Sequence, residues 1–256
     1  MTIMTEHTHT ETRHAVIYGY TKQELHQVIR HLEEQLPEYI KITIDANNLI
    51  TRITLTGVHS GLELLRFQIN KYHRNINDIF TEDVLAMEDK SPAQVLGQIL
   101  KERELSVSFA ESCTGGNLAH RITQIPGSSA YFLGSVVSYS NDVKANVLDV
   151  SRADISQFGA VSEQVVKQMS AGVARLMRTD CAVATSGIAG PDGGTKYKPV
   201  GTVWFCARYK DKLVTECCRF DGDRNSVIES ATDHALVMLI RLLRNSYTVA
   251  EDFNDE

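Results

Sequence analysis

Three consecutive residues, Ser112, Cys113 and Thr114, carry side chains that can each act as a nucleophile. They lie in the stretch 109–121, where two glycines follow them and open a predicted helix. A tight turn from a strand into a helix can hold such a side chain exposed at the edge of a sheet. The G-x-S-x-G motif of nucleophile elbows is absent, and Ser112 or Thr114 could instead cap the helix. The pattern alone leaves both interpretations open.

A lysine in a second segment could supply the base. Lys144 lies four residues after Ser140 and five after Tyr139, on a short helix predicted to follow a strand. A lysine acts as a base only where burial or a neighbouring cation lowers its pKa. The alternatives are a solvated helix lysine and, for Tyr139, a core aromatic residue with a hydroxyl group.

Two further features could bind an anion. The segment 187–194 holds four glycines and a proline, and such a loop can present backbone N–H groups to an oxyanion or a phosphate. Arg224 opens the last predicted helix, where its charge opposes the helix dipole, so a phosphate contact would suit it. The alternatives are a plain surface loop, and an arginine paired with Asp221 or Asp223.

Most of these residues lie in three loops, at 110–116, 139–144 and 186–194. Each loop follows a predicted strand of one α/β/α sandwich. Strands are predicted at about 105–110, 134–140, 181–187, 201–208 and 212–220, and helices at about 92–103, 115–124, after 141, at 162–178 and from 224. In an open α/β sheet, the loops at the carboxyl ends of strands can share one crevice. The pattern therefore predicts that the candidate groups converge there.

A small α+β domain is predicted in front of this sandwich, over residues 13–85, with the order β-α-β-β-α. Thr21 and Glu24 form a capping box ahead of its first helix, and a turn at Asn47 and Asn48 joins two alternating strands. The signals for a helix start at 91–94 place the larger domain over 92–246. Residues 1–12 and 247–256 are expected to be tails, the first disordered and the second acidic.

Composition excludes several classes of protein. The 256 residues carry a net charge of −6, which provides no basic surface for nucleic acid. No apolar run is long enough to span a bilayer, and the polar start lacks the apolar core of a signal peptide. The five cysteines form no C-x-x-C pair, and Cys181 and Cys206 lie in apolar strands. We expect a cytoplasmic protein without disulfides, membrane contact or a protein-built metal site.

Five segments taken together resemble one protein family: AESCTGG, GSVVSYSNDVKANVLDV, GAVSEQVV, SGIAGPDGGTKYKPVGTVWF and FDGDR. Their order and spacing over roughly residues 92–245 are similar to those of the C-terminal domain of the CinA family, the nicotinamide-nucleotide amidases. The resemblance implies hydrolysis of the carboxamide of nicotinamide mononucleotide to nicotinate mononucleotide and ammonia, in pyridine nucleotide recycling. It also implies a serine nucleophile with a lysine base, without metal or other cofactor.

The family motifs assign site residues one by one. Ser112, Lys144 and Tyr139 fall on catalytic positions. The substrate-binding positions are Thr114, Gly115, Gly116, Asn141, Ser186, Gly187, Gly190, Asp192, Gly193 and Arg224. We expect the 5′-phosphate of the substrate near Arg224 and near a helix N-terminus, such as that of the helix opened by the two glycines at 115 and 116.

Cys113 and Thr114 remain rival nucleophiles. A helix N-terminus lowers the pKa of a thiol, but no histidine has an evident pairing position for Cys113, and His120, two turns along, is one possibility. Adjacent residues in a turn generally point apart, so we expect only one of Ser112 and Cys113 to face the crevice.

Other functions stay open for parts of the chain. The larger domain could be a nucleotide- or partner-binding module with little turnover, related to competence and damage-inducible proteins. Longer family members carry a front domain associated with pyrophosphatase activity, which we do not expect here. Residues 13–85 resemble, loosely, a joining domain of those members. They lack the G-x-x-G clamp of RNA-binding folds, so an assembly or spacer role is expected rather than RNA binding. Isolated amidase domains of this family tend to self-associate, so the resemblance also implies a homo-oligomer, a dimer or larger.

Overall fold

The computed structural model describes residues 7–251, with side chains left undescribed at 22 and 247–251. The chain divides into two compact units between Ser91 and Pro92. Cys181 and Cys206 are buried, as their apolar surroundings predicted, and Cys113 is buried as well. Among the described residues, no helix is both long and apolar enough to cross a membrane.

The first unit is an antiparallel sheet with two helices. Its elements are β1 (His9–Tyr18), α1 (Lys22–Gln35), β2 (Ile40–Asn47), β3 (Ile50–His59), α2 (Leu62–Phe80) and β4 (Val84–Ala86). The strand order is β2-β3-β1-β4, the arrangement of a split β-α-β fold. The apolar faces of both helices and the sheet form one core, with Leu25, Ile29, Leu65 and Ile69 fully buried.

Local signals placed most of this unit correctly. The capping box of Thr21 and Glu24 is present, and the β2–β3 turn holds Asn48 at φ 52°. Two details differ from the prediction. The first strand begins at His9, so residues 9–12 belong to it rather than to a tail, and residues 1–6 lie outside the described part of the chain. The strand β4 was not predicted, because three residues show no periodicity.

The second unit is a three-layer sandwich, as predicted. Its elements are α3 (Pro92–Glu102), β5 (Val107–Glu111), α4 (Asn117–Thr123), β6 (Phe132–Val137), α5 (Asn141–Leu148), α6 (Arg152–Phe158), α7 (Glu163–Met177), β7 (Cys181–Gly187), β8 (Thr202–Tyr209), β9 (Lys212–Arg219) and α8 (Arg224–Glu251). Helices α3, α4 and α8 cover one face of the sheet, and α5, α6 and α7 cover the other. Helix α6 was not predicted, and α8 continues into the expected tail, whose residues 252–256 lie outside the described part.

The sheet brings the three candidate loops to one edge. Its order is β6-β5-β7-β8-β9, with β5 parallel to both β6 and β7, and with β8 and β9 added antiparallel. The carboxyl ends of β5, β6 and β7 therefore lie side by side. The strand β5 is buried along its whole length, so the residue that follows it starts from a rigid position.

Helix α5 is held against α7 by a close backbone approach. A Cβ atom at Gly172 of α7 would lie 2.1 Å from the carbonyl oxygen of Leu148, the last residue of α5. No side chain fits there, and the contact fixes the helix that carries Lys144. Around it, the apolar side of α7 packs on the sheet through Val165, Met169 and Val173.

Candidate active site

The three loops enclose one cavity of about 310 Å³. Ten of the residues predicted for the site line it: Ser112, Tyr139, Asn141, Lys144, Ser186, Gly187, Gly190, Asp192, Gly193 and Arg224. The predicted convergence of the loops is therefore found in the structure. The size is at the lower end of the range of about 300–1,000 Å³ that is common for small-ligand sites.

Ser112 is the first residue after β5. Its backbone N–H donates to the carbonyl oxygen of Thr185 on β7 at 3.0 Å, which extends the pairing of the two strands by one residue. Its side chain is largely buried, and its carbonyl oxygen accepts from the N–H of Gly115 at 3.2 Å. The hydroxyl is thus presented from a turn held on both sides.

Lys144 is buried beside that hydroxyl. Its Nζ atom lies 2.9 Å from Ser112 Oγ, 2.7 Å from the carbonyl oxygen of Ser138 and 3.4 Å from that of Tyr139. The side chain is 1% exposed, and burial lowers the pKa of the amine from 10.5 to about 8. The solvated lysine considered as an alternative is not what the structure shows.

Cys113 also lines the cavity, contrary to the expectation that only one of the two neighbours faces it. Burial raises the pKa of its thiol to about 12, although the charge of Lys144 acts in the opposite direction. The helix N-terminus therefore does not produce a thiolate here. His120 is exposed, and its ring contacts Gln124.

Glu111, which the sequence analysis did not single out, holds the turn that follows Ser112 in place through hydrogen bonds. Its fully buried carboxylate accepts hydrogen bonds from the N–H groups of Gly116, Leu118 and Ala119, at 3.0, 3.0 and 3.1 Å. It also accepts from the hydroxyls of Thr114 and Ser135, at 2.8 and 2.9 Å. The last residue of β5 is thus the cap of α4, and the carboxylate fills the N-terminus of that helix.

This cap changes two expectations for the first loop. Neither Ser112 nor Thr114 caps α4, since the hydroxyl of Thr114 donates to Glu111 and contacts Thr185 Oγ1 at 2.8 Å. Thr114, Gly115 and Gly116 lie outside the set of residues lining the cavity. A substrate phosphate cannot occupy this helix N-terminus, because the carboxylate already holds its N–H groups.

Arg224 joins two sides of the cavity. Its guanidinium donates to the carbonyl oxygen of Gly190 at 2.8 Å and to the hydroxyl oxygen of Tyr139 at 3.0 Å. The pairing with Asp221 or Asp223 considered from the sequence gives way to these contacts, and Asp223 instead accepts from Ser226. The ring of Tyr139 is 62% exposed, so it is not a core residue.

The glycine-rich loop forms the remaining wall. Ser186 Oγ donates to the carbonyl oxygen of Ala160 at 2.8 Å, which ties the start of the loop to the segment before α7. Gly190 has a φ of +82°, and a Cβ there would lie 2.6 Å from a methyl group of Val200. The loop is therefore packed against the segment that leads into β8 and is not the loose surface loop of the alternative interpretation.

Residues 89–243 match the family model described as the CinA C-terminal domain. The chain belongs to this family. A relative named nicotinamide-nucleotide amidohydrolase PncC, from Escherichia coli K12, is 49% identical over 150 residues, covering 57% of this chain and 90% of that protein. A CinA-like protein of Endomicrobium trichonymphae is 35% identical over 237 residues, covering 90% of this chain and 55% of the relative. The chain spans about half the length of the CinA-like relatives it matches.

Solved CinA structures share the fold of the second unit. A CinA superfamily protein from Klebsiella pneumoniae 700603 aligns with a TM-score of 0.59 and 36% identity, covering 60% of this chain and 96% of that chain. A competence/damage inducible protein from Agrobacterium tumefaciens aligns with a TM-score of 0.58 and 38% identity, covering 60% and 93%. The α/β/α architecture is thus a property of the family.

Proposed function

We propose that the second unit hydrolyses the carboxamide of nicotinamide mononucleotide to nicotinate mononucleotide and ammonia. The observation that carries the proposal is the 2.9 Å contact between Ser112 Oγ and the buried amine of Lys144. The E. coli relative that is named a nicotinamide-nucleotide amidohydrolase, 49% identical over 150 residues, supports the choice of substrate.

The surroundings of Lys144 orient its lone pair. A neutral amine has two N–H groups and one lone pair, and three oxygen atoms surround Nζ. The carbonyl oxygens of Ser138 and Tyr139 can only accept, so they take the two N–H groups. The lone pair then points to the hydroxyl of Ser112, which donates its proton to it. A lowered pKa makes this neutral form accessible near neutral pH.

The acylation step follows from this arrangement. Ser112 Oγ attacks the amide carbonyl carbon while Lys144 takes the hydroxyl proton, giving a tetrahedral oxyanion. Lys144 then passes the proton to the amide nitrogen, the C–N bond breaks, and ammonia leaves an ester on Ser112. Water attacks this ester with Lys144 again as base, and the proton returns to Ser112 as the carboxylic acid is released.

The other walls of the cavity supply binding. Arg224 carries the positive charge on the rim and suits the 5′-phosphate, since a guanidinium binds phosphate through two parallel N–H donors. Backbone N–H groups of the glycine-rich loop around Gly187 to Gly193 stabilise the oxyanion. Loss of one such donor typically lowers the rate by about a hundredfold or more.

The test is turnover by the purified full chain. Ammonia and nicotinate mononucleotide are measured after addition of nicotinamide mononucleotide to the wild type, to Ser112→Ala and to Cys113→Ala. We expect Ser112→Ala to lose at least about a thousandfold in rate, whereas Cys113→Ala keeps most of it. Wild-type protein that binds the nucleotide without turnover would favour a binding module, and a defect confined to Cys113→Ala would end the serine mechanism.

The proposal also covers the compartment, the oligomeric state and the role of the first unit. We propose a cytoplasmic homo-oligomer, a dimer or larger, acting in pyridine nucleotide recycling, with residues 13–85 as an assembly or spacer domain. Sedimentation of the full chain at micromolar concentration tests the oligomeric state, and a monomer would contradict it.

A further inference from the structure

A second cluster of reactive side chains lies between the edge strand β9 and the helix α8. Glu216 and Cys218 are two residues apart on β9, so they leave the sheet on the same face. His234 reaches both from α8: its Nε2 atom lies 3.0 Å from Glu216 Oε2 and 3.4 Å from Cys218 Sγ. None of the three is among the described residues that line the cavity.

We propose that Glu216, Cys218 and His234 bind one divalent transition-metal ion, and that zinc fits this donor set best. A thiolate, an imidazole nitrogen and a carboxylate oxygen are the protein ligands that zinc takes. Three protein ligands with water in the fourth position form a common tetrahedral site. The ion would link the edge strand to the helix that covers it.

The distances match a tetrahedron around an ion. Zinc bonds of about 2.0 Å to nitrogen and oxygen and about 2.3 Å to sulfur put the ligand atoms about 3.3 Å apart for N and O, and about 3.5 Å apart for N and S. The observed separations from His234 Nε2 are 3.0 Å to Glu216 and 3.4 Å to Cys218. All three ligand atoms lie within 4.8 Å of one another. The two separations from Nε2 are within about 0.3 Å of these values, and the Glu216–Cys218 separation, at most 4.8 Å, closes to about 3.5 Å as the partly exposed Glu216 side chain turns.

Both contacts converge on the same ring nitrogen of His234, which holds either one proton or one lone pair. It cannot give a well-directed bond to Glu216 and Cys218 at the same time. A metal ion placed between the three atoms bonds to all of them, and its two positive charges are neutralised by one thiolate and one carboxylate.

The surroundings of the cluster favour a bound ion that is packed against protein on one side and open to solvent on the other. The ring of His234 packs against two phenyl rings on one side, that of Phe205 at a centroid distance of 4.6 Å and that of Phe220 at 5.9 Å. The Glu216 side chain is 44% exposed, which gives an ion and a water molecule a path from solvent.

The sequence predicted no metal site because these residues have no motif spacing. Cys218 and His234 are 16 positions apart in the sequence. They meet only because β9 pairs with β8 and because α8 packs on the same sheet.

The test uses Co²⁺ as a spectroscopic probe and Zn²⁺ for affinity. The purified 256-residue chain, freed of metal by a chelator, is titrated with Co²⁺. We expect one ion per chain, with a thiolate-to-cobalt charge-transfer band and intense tetrahedral d–d bands. Cys218→Ser should remove the charge-transfer band and weaken Zn²⁺ binding, measured by calorimetry, more than about a hundredfold. Cys217→Ser, the neighbouring exposed thiol on the opposite face of β9, is the matched control and should leave both unchanged.

Each other outcome overturns the proposal. A missing thiolate band, a band that survives in Cys218→Ser, or equal loss in Cys217→Ser contradicts a site at these residues. Circular dichroism checks folding; if Cys218→Ser fails to fold, Glu216→Gln decides, because this exposed change must weaken Zn²⁺ binding at least about tenfold. Ser112→Ala should bind metal like the wild type, so the result is independent of the amidase assay.

Discussion

Lys144 Nζ lies 2.9 Å from Ser112 Oγ although 32 positions separate the two residues. Ser112 follows β5, and Lys144 lies on the first turns of the helix that follows β6, the parallel neighbour of β5. The sheet therefore aligns nucleophile and base through backbone pairing, and both groups start from rigid elements rather than from mobile loops.

The rate should depend on the protonation of Lys144. The amine titrates at about 8, so kcat/KM should rise about tenfold from pH 7 to a plateau above pH 9, as its neutral form becomes dominant. The substrate phosphate titrates near pH 6, outside this window. Initial rates of ammonia release at low substrate concentration measure the profile. A flat or falling profile from pH 7 to 9 would contradict a lysine base, and preincubation at each pH controls for inactivation.

The same amine should make the stability of the protein depend on pH. Its pKa is 10.5 in an ordinary environment and about 8 in the folded chain, so between these values the unfolded chain binds more protons. The free energy of unfolding should therefore rise with pH in that window, by at most about 1.4 kcal/mol per pH unit. Below about pH 8 both states hold the proton and this contribution is flat.

Lys144→Met isolates this effect, because it removes the amine and keeps a long side chain. Urea unfolding of both proteins between pH 7 and 10.5 should show the wild type gaining on the variant as the pH rises above about 8. A difference that stays constant over the whole range would show that Lys144 is not held neutral by burial.

Arg224 should make the enzyme prefer a substrate that carries the 5′-phosphate. Arg224→Ala should raise KM for nicotinamide mononucleotide by about tenfold or more, since a charged hydrogen bond typically contributes about 1.5–3 kcal/mol. Nicotinamide riboside lacks the phosphate, and its kcat/KM should change little. The exposed Arg219, which does not line the cavity, provides Arg219→Ala as the matched control. An equal loss with both substrates would assign Arg224 to holding Tyr139 and Gly190 rather than to phosphate.

Glu111 should contribute strongly to the free energy of unfolding, because its carboxylate accepts five hydrogen bonds. Glu111→Gln leaves one acceptor oxygen and places an NH₂ group against backbone N–H donors, so we expect a loss of about 3 kcal/mol in the free energy of unfolding. Ser135→Ala removes only one of the five donors and should lose about 1 kcal/mol. Urea unfolding measures both. Similar losses in the two variants would mean that the carboxylate is not the main cap of α4.

The elements of the fold were predictable wherever local chemistry specifies them. The capping box at Thr21 and the helix-start signals at 91–94 depend on near neighbours, and each is found in the structure. The three residues of β4 were missed because they form a strand only by pairing with β1. Tertiary pairing, not intrinsic propensity, determines such a short strand.

The cavity was predictable in its parts and not in its polar details. The order of strands and loops placed Ser112, Lys144 and Arg224 at one edge of the sheet. The role of Glu111 was not visible, because a glutamate at a strand end is usually solvated and because its donors come from two segments, 114–119 and Ser135 on β6. The charges of the cysteines were also hidden, since burial of Cys113 raises its pKa where a helix N-terminus alone would lower it.

The close contact between Gly172 and Leu148 limits how the cavity could be enlarged by engineering. Helix α5, which carries Lys144, cannot move away from the cavity, because the carbonyl group of Leu148 at its end is already against the backbone of α7. Libraries that aim at bulkier amides should therefore vary the opposite wall, at Ile188, Ala189 and Asp192, and leave the layer behind the lysine untouched.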